Sequence, residues 1–339
     1  MGVPFKQAAD SIDAAAAKLF AADVRVRAVG ITRHDDAFGY RAVRNSAAVV
    51  PLNANITEVS QFKQVPVIFT DTPGEVESLL MVPGIGPASP AAATVIPEVQ
   101  NRRPLVCGLQ IQNFDDDVRQ GVIQQGMIII GTLGCFVRLA GGKTAMLSNN
   151  HVVAGENRGK KNQDRILQPG NGVHTPAEQT GVLTNFVRLR PSPPGATPAK
   201  GTAIFNDVDA GVAKLDDGIA FKQAYLPFRG LVAPNATASA NIGDRVFKVG
   251  RTTGLTLGEV TSVTTTVGPV PYDPGQCWFR RSIEIEGLNG TLFSDKGDSG
   301  SAIVRMSGEV VGILYAGNGQ QTYACPIDEV LKKLKCALI

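Results

Sequence analysis

Apolar positions near the start of the chain recur with helical spacing: Phe5, Ala8, Ala9, Ile12, Ala15, Ala16, Leu19 and Phe20 share one face of a 3.6-residue repeat. Residues 24–32, 39–43 and 65–69 then read as strands, rich in β-branched and aromatic side chains. This pattern predicts a small α+β accessory domain over residues 1–82. A Pro/Ala/Gly-rich stretch follows, predicting a linker over 83–103 and a larger domain over 104–339. Within the larger domain, Thr144-Ala145-Met146-Leu147-Ser148 predicts a strand that leads through Asn149-Asn150 to His151 and the apolar Val152-Val153-Ala154. A second small apolar strand begins after Asp209, with Ala210, Gly211, Val212 and Ala213. Near the C-terminus, Pro326 precedes Ile327, Val330, Leu331 and Leu334, the i, i+3, i+4, i+7 spacing of a closing helix.

The most informative segment for chemistry is Lys296-Gly297-Asp298-Ser299-Gly300-Ser301. Glycine at 297 lets the backbone turn so that its own N–H and that of Ser299 converge on one point, beside a serine hydroxyl. Such a turn needs a base and an acid elsewhere to become a nucleophile site. Three histidines are present, His34, His151 and His174. His34 lies in the charged run Arg33-His34-Asp35-Asp36 and His174 in a polar loop, so His151, at the end of an apolar strand, is the candidate base. Asp209, directly before a small apolar strand, is the candidate acid. Asp207 has the same strand parity and stands as the fallback, whereas Asp216 and Asp217 fall in the following turn. Asp209 follows His151 by 58 residues and Ser299 follows Asp209 by 90. A His, Asp, Ser template has intervals of about 45 and 93, and the Pro/Gly-rich residues 191–196 account for the longer first interval as a loop insertion.

With these motifs in order, residues 104–336 resemble a trypsin/chymotrypsin-like serine protease. Leu147 to His151 resembles the stretch ending in the family's catalytic histidine, Asp209 to Ala213 its aspartate strand, and Gly297 to Gly300 its serine loop. Gly312-Ile313-Leu314-Tyr315-Ala316-Gly317 resembles the strand that pairs with substrate backbone. The resemblance implies a mainly β fold of two six-stranded antiparallel β-barrels with the site between them. It also implies a serine endopeptidase in which Ser299 attacks, His151 moves the proton, Asp209 orients His151, and the amides of Gly297 and Ser299 hold the oxyanion, with no metal or organic cofactor. Gly131-Thr132-Leu133-Gly134, residues 166–170 and Gly250-Arg251-Thr252-Thr253-Gly254 further resemble an intracellular bacterial and plant subgroup of narrow-leaf type. Phe293, six residues before Ser299, gives no support for cleavage after Lys or Arg. A loop shift of one or two residues would bring Asp295 there instead; Phe293, Tyr315, Ala316 and Gly317 are the expected substrate-binding residues, with Ala316 and Gly317 leaving the pocket entrance open to a medium or large apolar residue.

Departures from secreted members change the expected setting. The five cysteines, at 107, 135, 277, 325 and 336, are odd in number and do not sit beside His151 or Gly297, so no disulfide framework is expected. Residues 1–20 lack a secretory pattern, which points to a cytoplasmic protein. A cut after Arg103 would expose Pro104, so Asp298 is expected to find an internal partner, an arginine being the expectation from bacterial relatives. The Arg251 turn reads as an anchor for a neighbouring loop. A formal charge of +3 gives no support for nucleic-acid binding, and no run is long enough to span a membrane. The expected partner is a protein or peptide substrate, with self-association through the N-terminal domain. A regulated protease of restricted substrate is the primary expectation; the alternative is a catalytically latent scaffold that binds peptides and self-assembles.

Overall fold

The computed structural model describes residues 2–48, 59–78, 96–339 and the backbone of 81–83. Most of the linker expected over 83–103 therefore lies outside the described residues. Its last part is packed: Glu98 is buried and paired with Arg229 at 2.6 Å, and the Arg102 N–H donates to Gln168.

The N-terminal segment holds α1 (Phe5–Ala9), α2 (Ile12–Ala22), β1 (Val26–His34), β2 (Ala37–Asn45), β3 (Gln61–Phe62), β4 (Val65–Thr72), β5 (Glu77–Ser78) and β6 (Met81–Pro83). The helical face read from the sequence buries Ala8, Ile12, Ala15, Ala16 and Leu19 against Val29, Ile31 and Tyr40 of the β1/β2 hairpin. Each large aliphatic side chain covered in this way contributes about 1.5–3 kcal/mol.

The first barrel is built from β7 (Gln110–Asn113), β8 (Met127–Thr132), β9 (Cys135–Leu139), β10 (Thr144–Ser148), β11 (Arg165–Leu167) and β12 (Gln179–Phe186), together with β14 (Gly211–Leu215). β13 (Phe205–Asn206) lies between β12 and β14 in sequence but pairs in the second barrel. The ladder runs β9-β10-β14-β12-β11-β7-β8. β8 and β9 are halves of one bent strand, because Leu133 and Gly134 continue the pairing to Leu109 and Leu147 at 2.8 and 2.9 Å. That bend closes a ring of six. α3 (Phe114–Gln120) follows β7, and the one-turn α4 (Asn150–Val153) follows β10.

The second barrel comprises β16 (Arg245–Gly250), β17 (Gly254–Tyr272), β18 (Gly275–Gly287), β19 (Ala302–Arg305), β20 (Glu309–Gly317) and β21 (Gln321–Pro326), preceded by the short β15 (Ala236–Thr237). Here too the ring closes, β16-β17-β18-β21-β20-β19 and back to β16. β17 is long enough to pair along one edge with β18 and along the other first with β16 and, farther along, with β1, at Ala28 opposite Val267 and Ile31 opposite Val263. The N-terminal strands thus extend the sheet of the second barrel. α5 (Ile327–Leu334) buries Ile327, Val330 and Leu334, and β22 (Cys336–Leu338) returns to pair with β9 of the first barrel. The architecture is mainly β and chymotrypsin-like, with two six-stranded antiparallel barrels.

Candidate active site

Strand register carries His151 and Asp209 to the same place. In the β10/β14 pair Ser148 lies opposite Gly211, so the residues just after β10 and just before β14 emerge at one end of neighbouring strands. His151 sits on α4 and Asp209 immediately ahead of β14, and both are fully buried. Asp209 Oδ2 and His151 Nδ1 are 2.5 Å apart, and the His151 backbone N–H donates to Asp209 Oδ1 at 3.2 Å. Tyr272 Oη–H donates to the same Oδ2 at 2.9 Å. The peptide of Asp209 is held at both ends: Asn149 Nδ2–H donates to its carbonyl at 2.7 Å, and its own N–H donates to Cys325 Sγ at 3.2 Å. Asp207, the fallback acid, instead faces Arg280 and Lys333. Asp216 accepts from Gln179 and Asp217 pairs with Lys143. His34 lies beside Asp35, and His174 packs on Phe114 near Gln179.

Ser299 lies on the serine loop between β18 and β19, and this loop meets the first barrel along β8. The Thr132 N–H donates to Ser299 O at 2.8 Å and Thr132 Oγ1–H to Gly297 O at 3.0 Å. Gly131 marks the junction: a side chain there would strike Val152, the neighbour of His151, and the Ser299 carbonyl. The buried Ser299 Oγ and His151 Nε2 make no hydrogen bond to one another, nor to any other partner among the described residues. Gly297 has φ +98°, a value that suits glycine. The flanking amides are engaged, Asp298 N–H with Asp295 O and Gly300 N–H with Leu314 O. No acceptor among the described residues takes the amides of Gly297 and Ser299.

Asp298 organises this loop from beneath. Its partner is Lys248, not an arginine: Nζ lies 3.3 Å from Oδ2, with both side chains fully buried. Burial pulls the Lys248 ammonium below its usual range, and the Asp298 carboxylate opposes that pull. The Arg251 turn supplies the rest, since the Thr252 and Thr253 amides donate to Asp298 Oδ1 at 2.8 and 3.2 Å and Thr253 Oγ1–H donates to Oδ2 at 2.7 Å. Gly250 is required by close approach, because a Cβ there would lie 2.4 Å from Asp298 Oδ1. Arg251 reaches across to Gln110 of β7 at 2.9 Å. Sequence reasoning identified the turn but missed the lysine; the available signal was a cation inside the apolar run Val246-Phe247-Lys248-Val249.

The expected substrate strand is the end of β20. The Tyr315 side chain turns inward, its hydroxyl 2.8 Å from Ser282 and its ring 4.5 Å from that of Phe279. Phe293 is seated in the barrel core with Val246, Val260, Ile285 and Leu314. The Ala316 and Gly317 backbones face outward to β5. Near His151, burial pushes the Glu156 carboxyl up to about 7, although it accepts the Asp273 N–H. All five cysteines are free thiols. Among the described residues, no group of three or more His, Cys, Asp or Glu side chains is placed to hold a metal ion.

Comparison with known proteins places the chain in a family. The family model described as Trypsin matches residues 130–329. A search of curated protein sequences found no match. Among solved structures, Thermobifida fusca protease A is 18% identical with a TM-score of 0.42, the match covering 62% of this chain and 91% of that one. A Nocardiopsis protease is 16% identical with a TM-score of 0.45, covering 69% of this chain and 97% of its own. A glutamic acid-specific serine protease described as using a histidine triad in substrate binding is 19% identical with a TM-score of 0.45, covering 69% and 100%. Since the family model spans more than half of its length, the chain belongs to the trypsin family and is a trypsin/chymotrypsin-like serine endopeptidase acting on protein or peptide substrates.

Proposed function

We propose that Ser299, His151 and Asp209 form the catalytic triad of this endopeptidase, and that the amides of Gly297 and Ser299 form its oxyanion hole. The observation that carries the reading is the buried His151–Asp209 pair, at 2.5 Å. The Asp209 carboxylate fixes the Nδ1–H tautomer, which leaves Nε2 to accept a proton from the nucleophile, and it stabilises the imidazolium that results. Ser299 Oγ then adds to the carbonyl carbon of a peptide bound along Ala316 and Gly317. His151 returns the proton to the leaving amine, and water hydrolyses the acyl-enzyme. The two unengaged amides supply hydrogen bonds that strengthen as the carbonyl oxygen becomes charged, an effect commonly of about 3 kcal/mol per donor.

The enzyme is further proposed to be a regulated cytoplasmic protease of restricted substrate. The fully covered Ser299 and His151 favour restriction, and they equally motivate the second reading, a latent peptide-binding scaffold. A fluorophosphonate probe with adduct mapping tests the site. Adduct confined to Ser299, and absent from Ser299→Ala and at least 100-fold slower in His151→Ala, is the expected result. An adduct at another serine with undiminished peptidase activity in Ser299→Ala would sink it.

A further inference from the structure

β17 and β18 meet in a tight turn at Asp273 and Pro274, with Tyr272 opposite Gly275, and the tip of this second-barrel hairpin reaches the proposed triad. Tyr272 is buried, and its ring centroid lies 6.0 Å from those of both His151 and Phe279. Its Oη–H donates at 2.9 Å to Asp209 Oδ2, the same oxygen that faces His151 Nδ1. Burial and the adjacent carboxylate push the phenol well above its usual range, so it keeps its proton and stays a donor. The carboxylate's other donors, the His151 N–H and Nδ1–H, belong to the first barrel. Among the described residues, Tyr272 is therefore the side chain that fastens this carboxylate to the barrel carrying Ser299.

The next residue of the hairpin is gripped as well. The Asp273 N–H donates to Glu156 Oε2 at 2.5 Å, and the Asp273 carboxylate pairs with Arg158, which also lies 3.2 Å from Asp116. Glu156 is buried and sits in the turn just after α4, the helix that bears His151. Glu156 and Asn157 have φ +54° and +81°, left-handed values uncommon outside glycine. Asn150, beside His151, braces that turn: its Nδ2–H donates to Asn157 Oδ1 at 2.9 Å and its Oδ1 accepts the Asn157 N–H at 3.0 Å. The contacts close a circuit from His151 through the turn to Glu156, across to Asp273, back one residue to Tyr272, and through its hydroxyl to Asp209. We propose that Tyr272 is a positioning residue for the reaction, its hydroxyl holding the Asp209 carboxylate against His151, and that Glu156 keeps Tyr272 in place by gripping Asp273, a role that rests on the triad proposed above.

A hydroxyl donated to a carboxylate favours the charged form. Without it, more of the Asp209 charge is left for His151, the protonated pair is stabilised, and the acid limb of the reaction moves to higher pH. A side chain that only filled space would slow the reaction and leave that limb where it was. Cys277, Cys325 and Tyr315 also lie close enough to feel the Asp209 charge, and burial pushes all three up, so they stay neutral at physiological pH. The Glu156 carboxyl, raised to about 7 by burial, titrates near His151, with Arg158 and Asp273 beside it. Comparing Glu156→Ala with Glu156→Gln removes that charge from both sides of the comparison.

The test measures the rate of fluorophosphonate labelling at Ser299 from about pH 5 to 9 in wild type, Tyr272→Phe, Glu156→Ala and Glu156→Gln, with urea unfolding in parallel. Tyr272→Phe is expected to label about tenfold more slowly, the scale of a hydrogen bond to a charged group, with its acid limb about half a pH unit or more higher. Glu156→Gln keeps an oxygen for the Asp273 N–H, so Glu156→Ala should label more slowly than Glu156→Gln and have the higher acid limb of the two. This second pair carries the test if Tyr272→Phe does not fold. A folded Tyr272→Phe protein that matches wild type, or that is slower with an unmoved limb, overturns the positioning role and leaves the triad standing. Equal rates and limbs in the two Glu156 variants overturn the grip on Asp273. A wild-type protein that fails to label at Ser299 at every pH overturns the triad itself.

Discussion

The ammonium of Lys248 is sealed inside the second barrel, where among the described residues it meets the Asp298 carboxylate, the Thr253 hydroxyl and the carbonyl of Gly254. This pair fixes the aspartate that precedes Ser299. Removing one partner leaves a buried charge uncompensated, a change that commonly costs about 3–5 kcal/mol. Lys248→Met is therefore expected to lose that much stability in urea unfolding and to label at Ser299 at least tenfold more slowly than wild type. Adding Asp298→Asn removes the stranded charge while keeping an acceptor for the Thr252 and Thr253 amides. The double variant should regain most of the stability, and a double variant no more stable than Lys248→Met would refute the pairing as the source of the loss.

Between elements, α3 and β8 are tied by a carboxylate with an unusual titration. Asp117 accepts from Gln112 Nε2–H at 2.6 Å and from the Ile129 N–H at 3.0 Å, and burial pushes its carboxyl up to about 7. The folded chain holds this proton more tightly than the unfolded chain does. Its contribution to stability is thus fully present below about pH 4 and is lost as pH rises through 7. Glu156, also raised to about 7, acts in the same direction. Wild type should lose stability from pH 5 to 8, and Asp117→Asn, whose amide oxygen accepts both bonds without a charge, should lose less. The gap at pH 8 should be at least about 1 kcal/mol by chemical unfolding, one pKa unit being worth roughly that much. Identical pH slopes for the two proteins would refute the assignment. The same scale explains what the sequence made legible. β10 was readable to the residue because five consecutive positions carry strand character and end at polar Asn149-Asn150. His151 and Asp209 were readable because each adjoins an apolar strand, and only the ladder register was missing. β5 and β6, of two and three residues, are too short to leave any periodicity. Lys248 was invisible as a partner because its pairing spans a turn and a loop 50 residues downstream.

The whole molecule is joined by more than its covalent chain. β1 continues the second-barrel sheet, Arg41 Nε lies 2.8 Å from the buried Glu284 carboxylate, and Phe20 meets Trp278 edge-on at 5.0 Å. Ala28, Val43 and Val76 are part of the same apolar cluster as Phe279 and Tyr315 of the second barrel. The inserted loop read from residues 191–196 adds to this junction, since Pro193, Ala196 and Thr197 line a cavity of about 580 Å³ with Phe20 and Val24. An interface made of sheet hydrogen bonds, a buried ion pair and shared apolar core needs no tether to persist, because unpairing it would expose the β17 edge and strand Glu284. Residues 1–83 and 96–339, produced as two separate chains in one cell, are therefore expected to co-purify as a 1:1 complex with a Kd below about 1 μM, a free energy of roughly 8 kcal/mol. Arg41→Ala should weaken that complex at least tenfold, as titration calorimetry would read. Two pieces that elute separately at micromolar concentration would mean that the covalent link, and not the continuous sheet, holds the N-terminal segment over the site.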